Sequence, residues 1–565
     1  MKENKLIIYQ TFPRLFGNFT EHPVRDGSKE ENGCGKFSSY SVKALNGIKE
    51  LGVTHIWYTG VLAHATTTDY TAYGIPKDHQ AIVKGKAGSP YAIKDYYDVD
   101  PDLAEKVPDR LNEFIALIQR THEAGMKVII DFVPNHVSRN YRSLMKPTYI
   151  DDLGQRDHTE LAFSSDNNFY YLPGQHLELR FGAQEEDFEY NEFPAKVTGN
   201  DCFTAHPGFH DWYETIKLNY GVDYLNGGVQ HFFPIPDTWH KMLHILLYWA
   251  DKDIDGFRCD MAEMVPVQFW EWVIPRVKSH KDVLFIAEIY NPSRYREYLQ
   301  SGHFDYLYDK VGTYDLLCEI INRKASIVGL KNYLQSVDPI VDRLLFFLEN
   351  HDEQRIASDF FAGAAQAAIP ALIFITTCHT NPVMIYNGQE LGEKGMDNEG
   401  FSGLDGKTTI FDYWRMDSIR RWANNGCFDG RLLDDDQRQL RALYKKILRL
   451  ANEEKAFSEG SFYGLDYCNL DNPHFLSDRM TVYLRKYEDE LILVCINFDS
   501  QTFKFRLHIP ENAFEVLQIP DNTVSLMKEL LTGEESVCSL THTCPFQGSV
   551  AGSSAKILKF VFLSC

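Results

Sequence analysis

The sequence predicts an α/β protein: a closed (β/α)8 barrel, with an irregular insertion after strand 3 and a C-terminal antiparallel β-sandwich domain. Three observations carry this. Short β-branched and aromatic runs alternate with helical patterns from residue 5 to about residue 450, which implies a parallel sheet. Eight such repeats favour a closed barrel over an open doubly wound sheet. After about residue 455 the period changes to two: Phe503, Phe505, Leu507 and Ile509 alternate with Lys504, Arg506 and His508.

Residues 5–12 (KLIIYQTF) read as the first strand, followed by a polar loop over 18–36. A helix is expected over 38–51, with Val42, Leu45, Ile48 and Leu51 spaced at three and Gly52 as its C-cap. Strand 53–58 leads into a long Tyr-, Asp- and Gly-rich loop, 60–108, then a helix over 111–124 closed by Gly125. Strand 127–132 (KVIIDF) is a continuous apolar run, the kind buried on both faces of a parallel sheet. Residues 135–215 break the alternation. It resumes with helix 236–250, strand 254–259, helix 265–279 and strand 283–287. Helix 292–300, strand 304–308, helix 315–335, strand 344–348, helix 361–376, strand 383–386 and helix 436–452 complete it. The expected domains are a barrel of 1–134 and 216–454, an inserted domain of 135–215, and a β domain of 455–565. The last concentrates no polar functional groups and reads as a structural cap.

With 565 residues the chain exceeds one compact core, so two or three domains are expected. Hydrophobic and charged fractions of 44% and 24% are those of an ordinary globular protein. The 31 Tyr, 37 Phe and 8 Trp fill cores but also offer flat platforms for sugar rings. A formal charge of −22 argues against nucleic acid or an anionic membrane as partner. No run of about 18 apolar residues occurs, so no transmembrane helix is expected. The N-terminal residues enter a strand without the apolar stretch of a signal peptide, and a cytoplasmic location is expected. The 11 Cys are odd in number and scattered, without a C-x-x-C pair, against a disulfide framework or zinc ribbon and in favour of reduced thiols. No Gly-rich phosphate loop follows any strand, which weakens nucleotide-binding readings.

Four strands end in dense polar sequence: Asp131 to Asn135-His136, Arg258-Cys259-Asp260, Glu288, and Asn350-His351-Asp352. Strand C-termini converge on one face of such a barrel, so Asp260, Glu288 and Asp352 should be neighbours in space. Arg258 and Asp260 lie two apart on a strand and point to one side; Cys259 points the other way, into core. Taken alone, Arg258 and Asp260 read first as a structural ion pair, and only second as a nucleophile kept ionised by a neighbouring cation. Metal-dependent hydrolysis usually needs closely spaced His pairs such as H-x-H, and none stands at a strand end. Glycoside hydrolysis needs two carboxyl groups flanking the bond. One must be ionised, and the Arg258 guanidinium is expected to lower the pKa of Asp260. The other must hold a proton near neutral pH, which the apolar run before Glu288 favours. Asp352 and the two His can bind sugar hydroxyls.

The stretches DFVPNH (131–136), GFRCDMAE (256–263), IAEIY (286–290) and FLENHD (347–352) resemble, in order and spacing, the conserved regions of the α-amylase family, glycoside hydrolase family 13. VDYLN (222–226) and SPYAIKDYYDVDP (89–101) add weaker matches. The resemblance implies Asp260 as nucleophile, Glu288 as general acid/base and Asp352 as the third acid. It implies that Tyr91 stacks on the sugar at subsite −1, and that His136, Arg258 and His351 hold that sugar and the nucleophile. It implies a retaining double displacement on α-glucosidic bonds, with the two carboxyl groups about 5–5.5 Å apart. Transglycosylation on the same site is the alternative; a non-catalytic carbohydrate-binding barrel is a third reading, opposed by the presence of all three acids. A structural calcium ion is also implied, with Asn135 as a ligand. The chain departs from many starch amylases at Glu263 and Met264, where those have Lys-His. That points to smaller α-glucans such as maltodextrins as substrates.

Overall fold

The computed structural model describes residues 5–179 and 190–562; residues 180–189 of the expected insertion lie outside the described residues. Eight parallel strands close a barrel: β1 Ile7–Thr11, β2 His55–Tyr58, β3 Lys127–Phe132, β4 Gly256–Cys259, β5 Leu284–Ala287, β6 Tyr306–Tyr308, β7 Leu344–Phe347 and β8 Val383–Tyr386. They follow chain order around the barrel, and β1 closes it by pairing with both β2 and β8. Strand–helix units that wind in one hand place each strand beside the one before it.

Alternation along these strands sorts side chains into two cores. Residues of one parity face the surrounding helices and join the large outer core: Tyr9, Ile56, Ile130, Phe257, Phe285 and Phe346 among them. Residues of the other parity fill the barrel axis: Ile8, Trp57, Ile129, Ile286, Tyr308, Leu345, Phe347 and Met384. Two residues further along several strands the same inward column turns polar: Gln10 after Ile8, Asp131 after Ile129, Glu288 after Ile286. On β4 the inward positions are Gly256, Arg258 and then Asp260 just past the strand end. An apolar plug thus supports a polar floor at the C-terminal mouth.

Several elements differ from expectation. The helix expected over 38–51 runs Val42–Lys49, because the Ser41 side chain accepts a hydrogen bond from Ala44 N and caps it there, and a short helix, Lys29–Asn32, precedes it in the expected loop. The helix expected over 315–335 is two, Asp315–Ile321 and Ile327–Val337, broken where Arg323 has φ +59° and restarted by a Ser326 cap. The helix expected over 361–376 is regular only from Ile369 to Thr377, with Pro370 in its first turn. The long loop 60–108 contains an antiparallel pair, Leu62–His64 with Ile93–Val99. The insertion opens on His136–Ser138 paired with Thr215–Lys217, and Tyr171–Leu172 pairs with Ala195–Lys196 within it.

Among the described residues the C-terminal domain has eight strands: β9 Ser461–Gly464, β10 Met480–Tyr487, β11 Glu490–Asn497, β12 Phe503–Leu507, β13 Thr523–Glu529, β14 Glu535–Leu540, β15 Phe546–Val550 and β16 Ser554–Phe562. A six-stranded antiparallel sheet runs β9-β10-β11-β16-β13-β14, and β12 pairs with β15 in a second sheet. Leu484, Leu493, Phe505, Leu507, Val550 and Phe560 share the core between them. Arg485, buried, donates to the Cys378 carbonyl (2.7 Å) and so ties this domain to the barrel. The ten described cysteines are all free. No helix among the described residues is long and apolar enough to cross a membrane.

Candidate active site

Arg258 is the centre of the polar floor. Its side chain is 1% exposed, and the rings of Trp57, Tyr308 and Tyr91 surround its guanidinium carbon at 5.2, 5.3 and 5.5 Å. Aromatic faces stabilise a desolvated cation without neutralising it. Nη1 donates to Asp260 Oδ1 at 2.8 Å and to Asp131 Oδ1 at 3.3 Å, and Nη2 lies 2.8 Å from Glu288 Oε1. The strand register sets this up: Arg258 stands beside Asp131 on one neighbour and Ile286 on the other, two residues short of Glu288.

Three carboxyl groups therefore surround one guanidinium, a set that carries excess negative charge when all are ionised. The expectation that Arg258 holds the pKa of Asp260 down is corrected. Burial pushes the Asp260 carboxyl well up, and Glu288 and Asp131 add to this; Arg258 opposes the shift without reversing it. Burial likewise pushes Asp131 up to about 6, against the pull of Arg258 and the hydrogen bonds from Trp57 Nε1 (3.0 Å) and Gly60 N.

Glu288 is held at both oxygens. Met261 N donates to Oε2 and Tyr290 Oη to Oε1, each at 2.8 Å. The first bond requires the residue after Asp260 to turn: Met261 has φ +41°, a left-handed conformation that non-glycine residues adopt rarely. Glu263, one of the two departures noted in the sequence, has a structural role. Glu263 Oε1 accepts the Tyr290 amide (3.0 Å), and its carbonyl accepts from Arg294 (3.2 Å). Glu263 thus pins the backbone of the tyrosine that reaches Glu288, while Met264 is half-buried beside it.

Asp352 completes the mouth. Its side chain is 39% exposed against 9% for Asp260 and 3% for Glu288, so it is the acid most open to an entering ligand. His351 Nε2 stands 3.1 Å from Asp352 Oδ2 and 2.5 Å from Tyr91 Oη, and its ring stacks on Tyr91 at 5.3 Å. Gln10 Nε2 donates to His351 Nδ1 (2.8 Å), which leaves the ring proton on Nε2. Burial and the Arg258 charge push His351 down to about 3, so it is a neutral donor.

Tyr91, Arg258, Asp260, Glu288, His351 and Asp352 thus form one connected cluster. His136 joins it indirectly: its ring bonds the Tyr91 backbone and packs against Trp212 at 5.1 Å. Asn135 contacts this ring, its Nδ2 lying 3.3 Å from His136 Nδ1. Its Nδ2 donates to the Gly199 carbonyl (2.7 Å) and its Oδ1 accepts from the Lys217 ammonium (2.8 Å), the place where calcium was expected. Sequence reasoning assigned no role to Asp131, Trp57, Tyr308, Gln10 or Tyr290. For Asp131 a signal existed, an acid at an inward position of an apolar strand; the aromatic box is set by barrel closure.

The chain matches the family model for the alpha amylase catalytic domain over residues 28–429. "Alpha-amylase 3" of Dictyoglomus thermophilum is 26% identical over 450 residues, 74% of this chain and 77% of that protein. "Alpha-amylase MalA" of Haloarcula japonica is 22% identical over 499 residues, and there the match spans 88% of this chain but only 55% of that protein. Among solved structures, a maltogenic alpha-amylase, AmyB, from Thermotoga neapolitana superposes with TM-score 0.64 at 21% identity over 100% of both chains. The alpha-amylase of Geobacillus thermoleovorans, solved with acarbose, gives 0.62 at 21% identity over 99% of each. The barrel, the carboxyl cluster at its mouth and the family match over most of the chain agree: this protein belongs to the α-amylase family of glycoside hydrolases.

Proposed function

We propose that the chain is a retaining glycoside hydrolase acting on α-glucosidic bonds of maltodextrin-type α-glucans. The observation that carries the reading is the single Arg258 guanidinium contacting both Asp260 (2.8 Å) and Glu288 (2.8 Å). Sharing one planar group supports the short carboxyl spacing of a double displacement over the wider spacing that leaves room for a water. In the first step the Asp260 carboxylate attacks the anomeric carbon, and Glu288 gives its proton to the departing glycosidic oxygen. A glycosyl ester on Asp260 results. In the second step the Glu288 carboxylate takes a proton from water, the hydroxide oxygen bonds the anomeric carbon, and the Asp260 ester breaks. Asp352 and neutral His351 grip sugar hydroxyls, and Tyr91 presents its ring to the sugar. Relatives solved with acarbose and with maltose support an oligosaccharide substrate. The scattered free thiols support a cytoplasmic site of action.

Incubation with maltotriose, maltodextrins, isomaltose and trehalose, followed by proton NMR, tests this. The α anomer should appear first from an α-1,4 substrate. First appearance of the β anomer sinks the double displacement. Longer maltodextrins formed from maltotriose, without net release of reducing ends, would assign the site to transglycosylation instead.

A further inference from the structure

Outside the carboxyl cluster, one buried cation has no role in the double displacement. Lys217 ends the strand Thr215–Lys217 and stands opposite His136 in the pair with His136–Ser138. Its side chain is 2% exposed. The ammonium donates to Asn135 Oδ1 (2.8 Å) and forms an ion pair with the Asp201 carboxylate. Tyr224 presents its ring 5.4 Å from Nζ. Asn135 Nδ2 donates in turn to the Gly199 carbonyl (2.7 Å), two residues from Asp201. The end of β3 and two parts of the insertion therefore close around a single positive charge. Asp201 adopts φ +61° in the turn that carries its carboxylate.

The donor set does not suit calcium. The Asn135 oxygen is already taken by an N–H donor, and an ammonium fixed in the same cluster would repel a divalent cation. Among the described residues no group of three or more His, Cys, Asp and Glu side chains is arranged to hold a metal ion. The lysine supplies instead what such a junction needs: a positive charge that draws the Asp201 carboxylate and the Asn135 amide oxygen, just past the end of β3, together. Its register partner is His136, whose ring bonds the Tyr91 backbone, so the charge stands two contacts from the sugar-facing tyrosine.

We propose that the Lys217 ammonium is the built-in cation of the barrel–insertion junction, standing where a family calcium ion would bind, and that the fold at the active-site wall is calcium-independent. This holds whichever glycoside the site takes. A buried lysine differs from a bound ion in one respect that matters here: it cannot be lost to a chelator or diluted away.

Thermal unfolding of the full chain tests this. After dialysis against a calcium chelator, wild type melted with and without millimolar calcium should agree to within about 2 °C; a larger calcium-dependent rise overturns the proposal. Lys217→Ala leaves the Asn135 oxygen and Asp201 carboxylate facing a space without a cation. Its melting temperature should fall by about 5 °C or more, and calcium or methylammonium should restore part of the fall. Melting like wild type, or a fall that neither cation repairs, shows that Lys217 is not the cation of the junction. If Lys217→Ala yields no folded protein, the wild-type chelation result decides alone.

Discussion

The Tyr290 hydroxyl donates a 2.8 Å hydrogen bond to Glu288 Oε1, the same oxygen that lies 2.8 Å from Arg258 Nη2. Since Met261 N holds Oε2, the acid/base is fixed in rotation and its approach to a glycosidic oxygen passes through the tyrosine bond. Tyr290→Phe should lower kcat on maltotriose by about tenfold. The loss should shrink to within about threefold on α-glucosyl fluoride, whose leaving group needs no proton. Equal losses on both substrates would show that Tyr290 does not act through Glu288.

Asp260→Asn and Glu288→Gln remove the two groups proposed to form and break bonds. Each should cost about four orders of magnitude in kcat while leaving the melting temperature at or above that of wild type, since each also removes a buried like charge. A rate within tenfold of wild type for either variant would sink the assignment.

Asp131 makes the acidic limb of the rate profile adjustable. Its negative charge is one of the causes that raise the pKa of Asp260. A neutral side chain there lets the nucleophile ionise at lower pH. Asp131→Asn should therefore move the acidic limb of kcat/KM down by about one pH unit, read from initial rates between pH 3 and 8. His351, pushed down to about 3 by burial, should contribute nothing to that limb. An upward move on Asp131→Asn would show that the Asp131 charge does not govern ionisation of the nucleophile.

Arg258 pairs with Asp260 through Nη1 and with Glu288 through Nη2, inside three aromatic rings. Lysine carries the charge as a point and cannot reach both at once. Arg258→Lys should destabilise the fold by about 3 kcal/mol, measured by chemical denaturation at neutral pH, and lower kcat by more than about a hundredfold. The arginine is 1% exposed, so little solvent screening reduces either effect.

Much of this was legible in one dimension. Strand–helix alternation determined the barrel, because a strand buried on both faces needs a continuous apolar run and the helix packing over it needs a periodic face. Strand parity determined that Arg258 and Asp260 share a side and that Cys259 does not. The spacing of Asp260, Glu288 and Asp352 after successive strands determined that they meet at one rim. Tertiary structure decided what closure and burial control. The net pKa direction at Asp260 depends on how desolvation and two further carboxylates compare with one guanidinium, and no local pattern encodes that balance. The Asn135 oxygen accepts from an ammonium 82 residues away, and the amide of Tyr290, which reaches Glu288, is held by Glu263, 27 residues earlier. Periodicity reports which face a residue takes; charge interactions fall off with distance and rise with desolvation, so they are set only when the chain has folded.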